Sequence, residues 1–216
     1  MKDESKLTDC ALKLHRNDIA YRKADVADFI VTFIMVIVAV FAFRAFMFEP
    51  VRVAGTSMVP TLQDTERMFV EKFTYWFDAP SRGDIVICKY PSTYTPGKPT
   101  DTYVKRVIGL PGETIRILDG RVEIKAPESS EFVPLNEYSY LGDMFINGDF
   151  PRTNTEQGYI VPDDCVFVMG DNRNNSTDSR DPRVNAIKIT EVIGKVHGVV
   201  YPLDSIRNLE GINYDG

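Results

Sequence analysis

The sequence predicts a mainly β protein, an antiparallel sheet or partly open barrel interrupted by an excursion, behind one N-terminal membrane-spanning helix. Three observations carry this prediction. Residues 29–48, FIVTFIMVIVAVFAFRAFMF, hold only two non-apolar side chains, Thr32 and Arg44. From residue 50 onward the chain breaks into short apolar or alternating runs cut by Pro, Gly, Asn and Asp, the pattern of strands joined by turns. Between about residues 126 and 160 those runs give way to polar chain with Pro, Gly and Asn in quantity, which reads as an excursion or small subdomain inserted into the β core.

The apolar run comes first. Twenty residues at about 1.5 Å each cover roughly 30 Å, the thickness of a bilayer's hydrocarbon core. A cleaved signal peptide would have an apolar stretch of only about 7 to 15 residues and end at a small-x-small site. This run is longer and closes on Arg44, Ala45, Phe46, Met47 and Phe48; Arg44, one turn from the end, can snorkel to the interface. Lys13, Arg16, Arg22 and Lys23 precede the run, and only Arg52 follows at a comparable distance. Basic flanks stay in the cytoplasm. The expected layout is therefore a cytoplasmic tail 1–28, a single transmembrane helix 29–48 and an exported domain 49–216, with Phe43, Phe46, Phe48 and Met58 placed to dip into the membrane interface.

The exported part has its own chemistry. Residues 49–216 carry seven more acidic than basic side chains, a poor match for a nucleic-acid binder that must neutralise phosphates. Hydrophobic residues at 44% and charged residues at 26% of the chain exclude a wholly disordered or collagen-like protein. The expected strands are Pro50 to Ala54, Arg67 to Phe73, Asp84 to Tyr90, Thr102 to Leu110, Thr114 to Leu118, Arg121 to Lys125, Cys165 to Met169 and Ile193 to Tyr201. No helical periodicity appears after Met58. Cys88 and Cys165 share the exported side and could pair, yet each sits inside an apolar run and reads as a small buried hydrophobe. No C-x-x-C spacing suggests zinc, and no metal or organic cofactor is implied.

Four turn-rich segments stand out: GTSMVPTL at 55–62, RGDIVI at 82–87, YVKRVIGLPGE at 103–113 and GDNRNNSTDSR at 170–180. The first offers Ser57 beside a turn. A Ser-His-Asp triad has little to draw on, because the two histidines are His15, on the cytoplasmic side, and His197, inside an apolar strand where a structural role fits better. A serine enzyme here needs another base, and lysine is the known alternative.

Together the four segments resemble the ordered boxes of the bacterial type I signal peptidases: S-M-x-P-T-L, R-G-D-I-V, K-R-V-I-G-L-P-G-E and G-D-N-R-x-N-S-x-D-S-R, in order behind one anchoring helix. That resemblance implies a membrane-anchored serine endopeptidase that removes signal peptides from preproteins emerging from the export translocon, with its catalytic domain on the outer face of the bacterial cell membrane. It implies Ser57 as nucleophile, Lys105 as general base and Ser176 as the hydroxyl that orients the lysine. Arg106, Asp171, Asp178 and Arg180 match the charged residues that brace the site. Val53, Met58, Leu62, Tyr103 and Val104 match pockets admitting Ala at the first and third positions before the cut. Many family members carry Ser or Thr where this chain has Gly55, which leaves the second oxyanion donor undetermined beside the Ser57 amide.

The residues themselves fit such chemistry. A lysine near pKa 10.4 is useless as a base at neutral pH, and burial lowers it. Strand alternation puts Tyr103, Lys105 and Val107 on one face and Val104, Arg106 and Ile108 on the other, so Arg106 can meet a carboxylate without charging the base. An extended peptide could add to the edges at Val51 to Gly55 and Asp101 to Lys105 through main-chain hydrogen bonds.

Overall fold

A computed structural model describes residues 26, 28–43, 48–91, 102–148, 150–209 and 214. The chain divides into two units, one ending at Phe46 and the other beginning at Met47.

In the first unit a helix, α1, covers residues 28–43. All of its side chains are exposed, with Phe29, Met35 and Phe41 each about 70% accessible. Sixteen residues at about 1.5 Å span about 24 Å, and among the described residues no helix is long and apolar enough to cross a membrane unaided. The expected helix does not run to 48. Phe48 is already strand, held by pairing with Glu71, while Arg44 and Phe46 lie outside the described residues.

The second unit contains twelve described strands in two sheets. The larger follows the order β1-β2-β11-β3-β4-β9-β10, with β12 beside β11. Its strands are β1 (Phe48–Arg52), β2 (Arg67–Glu71), β3 (Ile85–Lys89), β4 (Thr102–Gly109), β9 (Cys165–Met169), β10 (Ile187–Lys188), β11 (Val192–Tyr201) and β12 (Arg207–Asn208). The smaller has the order β7-β6-β5-β8, from β5 (Thr114–Leu118), β6 (Arg121–Lys125), β7 (Val133–Pro134) and β8 (Tyr159–Ile160). Every pairing is antiparallel. The larger sheet stays open, with β1 and β10 at its two ends and no closed barrel.

Two strands show why the sheet holds. In β3, Ile85 and Ile87 enter one core with Val53, Met58, Leu62 and Met68, whereas Val86 and Cys88 enter another with Val107, Val166 and Val168. In β9, Cys165, Phe167 and Met169 face a third core with Ile115 and Ile117, and Val166 and Val168 face the second. Both runs are continuously apolar because both faces are covered. Cys88 and Cys165 thus belong to different cores and are free, buried thiols; burial pushes Cys88 up to about 12.

The excursion is not a separate subdomain. It supplies β7 and β8, which flank the β5–β6 hairpin, and a four-residue helix, α2 (Tyr138–Leu141). Its Ile146, Leu135, Phe150 and Tyr159 pack onto the β5–β6–β9 core. His197 meets the structural expectation, with Nε2 2.5 Å from the Glu71 carboxylate.

Candidate active site

Lys105 sits in the middle of β4, paired to Val86 on β3. Its side chain is 2% exposed, and Nζ donates to Ser57 Oγ at 2.7 Å and to the Val104 carbonyl at 3.0 Å. Burial lowers its pKa from the usual lysine value; Asp178, Cys88 and Asp171 pull it back up, and Arg180 pushes it down. Among the described residues no carboxylate bonds the amine directly. A lysine so placed can hold a lone pair facing a hydroxyl, which lets the amine take the hydroxyl proton.

Ser57 reaches this position from the turn after β1. Gly55 has φ +96, a backbone conformation that favours glycine, and its amide is taken by Asp64 Oδ1 at 2.9 Å. The Ser57 carbonyl accepts from the Asn172 amide at 3.0 Å, and Thr56 is held by the side chains of Asn172 and Asn175. The Ser57 amide itself donates no hydrogen bond among the described residues. The 170–176 loop therefore grips the Ser57 turn from behind. Gly170 is where the two come closest: a methyl group there would overlap both Ser176 Oγ and the Ser57 carbonyl oxygen.

Arg106, the next residue on β4, faces a closed site. Its guanidinium bonds both oxygens of Asp171, at 2.8 and 2.6 Å, and the Gly83 carbonyl at 2.9 Å. Burial works against its charge, but Asp171 more than offsets this and holds the pKa above the usual arginine value. Thr61 adds a 2.5 Å hydrogen bond to Asp171. Asp178 is likewise buried and chelated, by Arg180 at 2.7 and 2.8 Å and by the Gly170 amide at 2.9 Å. Burial alone would raise its carboxyl, yet these partners hold it below the usual range. Ser176 Oγ is buried and makes no hydrogen bond of normal geometry, although it stands close enough to Asp178 to favour the ionised carboxylate. The bonds found on Lys105 come from Ser57 and Val104, not from Ser176.

A cleft of about 370 Å³ opens in front of the serine and lysine, lined by Val51 to Gly55, Ser57, Met58, Met68, Ile87 and Thr102 to Lys105. One edge of β4 is covered by β3 over Thr102–Arg106, while β9 takes the other edge only from Arg106 onward. The outer edge of residues 102–105 thus has no strand partner among the described residues, and β1 pairs only with β2. Val53, Gly55, Met58, Tyr103 and Val104 all reach the cleft. Leu62 does not: it is fully buried in the core behind it, beside Met68 and Val70. Met58 is also 2% exposed, too deep in the domain to enter a lipid interface.

Glu137, Tyr140 and Tyr214 contribute without a local signal in the sequence, whereas Arg82, Glu113 and Arg173 stand inside the four turn-rich segments. Arg173 is buried against Glu137, Tyr140 and the Gly170 carbonyl. Arg82 bonds Glu113 twice and the Ile108 carbonyl, fixing the end of β4. Tyr214 fills the space that Gly83, at φ +91, leaves open.

A serine hydroxyl within hydrogen-bond reach of a buried amine, beside a cleft with two open strand edges, is an arrangement that can serve a hydrolase. A family model described as "Signal peptidase, peptidase S26" matches residues 26–201. Signal peptidase I P of Bacillus subtilis subsp. natto is 36% identical over 190 residues, covering 87% of this chain and 95% of that one. Signal peptidase I T of Bacillus subtilis strain 168 is 38% identical over 167 residues, 76% and 79% of the two chains. A crystal structure of a signal peptidase I from Enterococcus faecalis V583 is 30% identical, with a TM-score of 0.38, and covers 55% of this chain and 97% of that chain. The chain belongs to the signal peptidase family, peptidase S26.

Proposed function

We propose that this signal peptidase is a membrane-anchored serine endopeptidase whose Ser57/Lys105 dyad cuts signal peptides from exported preproteins through an acyl-enzyme. The observation that carries the reading is the 2.7 Å contact between Lys105 Nζ and Ser57 Oγ, made by a lysine whose pKa burial depresses. Ser57 Oγ attacks the scissile carbonyl carbon while Lys105 Nζ takes its proton. The tetrahedral oxyanion meets the unengaged Ser57 amide. As the C–N bond breaks, the ammonium returns that proton to the leaving amine. Lys105 then takes a proton from a water that attacks the Ser57 ester carbon, and returns that proton to Ser57 Oγ as the C–O bond breaks and the cleaved peptide leaves as its acid. Ser176 limits how the lysine can lie, and Arg106, Asp171, Asp178 and Arg180 brace the loop behind it.

The substrate lies extended between β1 and β4, adding main-chain hydrogen bonds to their open edges. Val53, Met58, Tyr103 and Val104 form small apolar walls that suit Ala at the first and third positions before the cut. Lipid is the solvent proposed for α1, which is apolar on all sides and exposed throughout. Its basic flank then puts the N-terminus in the cytoplasm and residues 49–216 on the outer face, where preproteins leave the export translocon.

The test is cleavage of a purified preprotein in detergent by wild type, Ser57→Ala and Lys105→Ala, with the cut mapped by mass spectrometry. Both variants are expected to lose turnover entirely. Wild-type-like turnover by either one removes the dyad.

A further inference from the structure

Among the described residues no hydrogen bond, ion pair or ring contact ties the excursion at 126–160 to the dyad or the cleft, yet it meets the buried arginines Arg106, Arg173 and Arg180 behind them. Glu137 forms a two-bond ion pair with Arg173, at 2.6 and 2.5 Å, and that guanidinium is 1% exposed. Arg173 passes the hold on to the catalytic loop through the Gly170 carbonyl, 3.1 Å from its Nε. Tyr140, one turn along on α2, bonds Arg173 through its hydroxyl and lays its ring 4.2 Å from the Arg106 guanidinium. Phe150 places its ring 4.4 Å from Arg180. Backbone at Phe145 and Asn147 bonds the side chain of Asn174.

These contacts converge on one loop. Residues 170–176 carry Asp171 and Ser176, and hold Ser57 by its carbonyl through Asn172. Within the loop, the Arg173 guanidinium is anchored to the protein body by the excursion's Glu137 and Tyr140. A buried guanidinium that loses its carboxylate is strongly destabilised in place and has to move or draw in water, taking Gly170 with it.

We infer that Glu137 and Tyr140 are positioning residues: the excursion is a clamp that sets the height of the 170–176 loop, and through it the alignment of Ser57 with Lys105. The inference rests on the dyad reading above. A clamp of this kind acts on the reacting geometry and leaves the peptide cleft, on the other side of β4, as it is. Misplacement of a catalytic group by even about 1 Å can cost on the order of a hundredfold in rate.

The experiment uses the full chain in detergent with a preprotein-derived peptide, and compares wild type, Glu137→Gln, Tyr140→Leu, Arg173→Met and the Glu137→Gln/Arg173→Met double variant. Circular dichroism and thermal midpoints establish the folded fraction of each. The expected result is a fall in kcat of roughly tenfold or more for Glu137→Gln and for Tyr140→Leu, with KM changed by less than about twofold. The double variant should be no slower than the slower single one, because both substitutions break the same link. Wild-type kcat in folded Glu137→Gln and Tyr140→Leu, losses that appear in KM, or losses that multiply in the double variant would overturn the clamp. Turnover by Ser57→Ala in the same assay would instead remove the dyad on which it depends.

Discussion

Lys105 and Arg106 are neighbours on β4, both all but inaccessible to solvent, and they meet burial in opposite ways. Arg106 keeps its charge because Asp171 matches its fork with two oxygens and Gly83 takes a further N–H. Among the described residues Lys105 bonds a hydroxyl and a carbonyl but no carboxylate, and burial is the largest influence on it and favours the neutral amine. Strand alternation makes the difference possible, sending one side chain to the cleft and the next to the closed back of the site. One face thus holds an amine that burial discharges and the other a fixed charge, with a single residue step between them.

The largest effect should come from breaking the charged side. Asp171→Asn leaves Arg106 buried with half a partner, and should cost about 3 to 5 kcal/mol of stability in denaturant unfolding. Replacing both members, Arg106→Met with Asp171→Leu, should recover most of that loss, since no unpaired charge remains. A cost for Asp171→Asn below about 1 kcal/mol would make this pair equivalent to an exposed one.

The neutral side should respond with the opposite sign. Lys105→Met should abolish activity yet raise stability by about 1 kcal/mol or more at neutral pH, moving the thermal midpoint up by roughly 2 to 4 °C. The direction follows from proton binding. The folded pKa of Lys105 lies below its unfolded value, so the folded form binds fewer protons in the window between them, and wild-type stability climbs with pH there. The gain from Met is therefore greatest below that window and fades as pH approaches about 10.4. Midpoints measured across pH for both proteins check this; a stability loss in Lys105→Met at every pH contradicts it.

The same contrast explains what the sequence made legible. β3 and β9 are readable because IVIC and CVFVM are apolar on both faces and nothing else accounts for such runs between turns. The four boxes bring Ser57, Lys105, Asp171 and Asp178 together, and the alternation of β4 separates Lys105 from Arg106. The apolar run at 29–48 misleads at its end, because strand pairing with Glu71, and not hydropathy, decides that Phe48 is strand. Leu62 misleads in the same way: its apolar side chain suits a pocket wall or a core equally, and the packing of Met68 and Val70 settles it as core. Glu137, Tyr140 and Tyr214 stay hidden because the arginines and the glycine they meet lie 33 or more residues away in the chain, and a Glu or Tyr in polar sequence carries no periodic signal.

The central claim is that Lys105 is neutral at working pH and is the base for Ser57. Its side chain can be followed directly by carbon-13 NMR at Cε in selectively labelled enzyme, alongside the pH dependence of kcat/KM. The Lys105 titration midpoint is expected below the ordinary lysine value near 10.4, coinciding with the pH at which activity rises. A midpoint at the ordinary value, or an activity limb that titrates apart from Lys105, would contradict it.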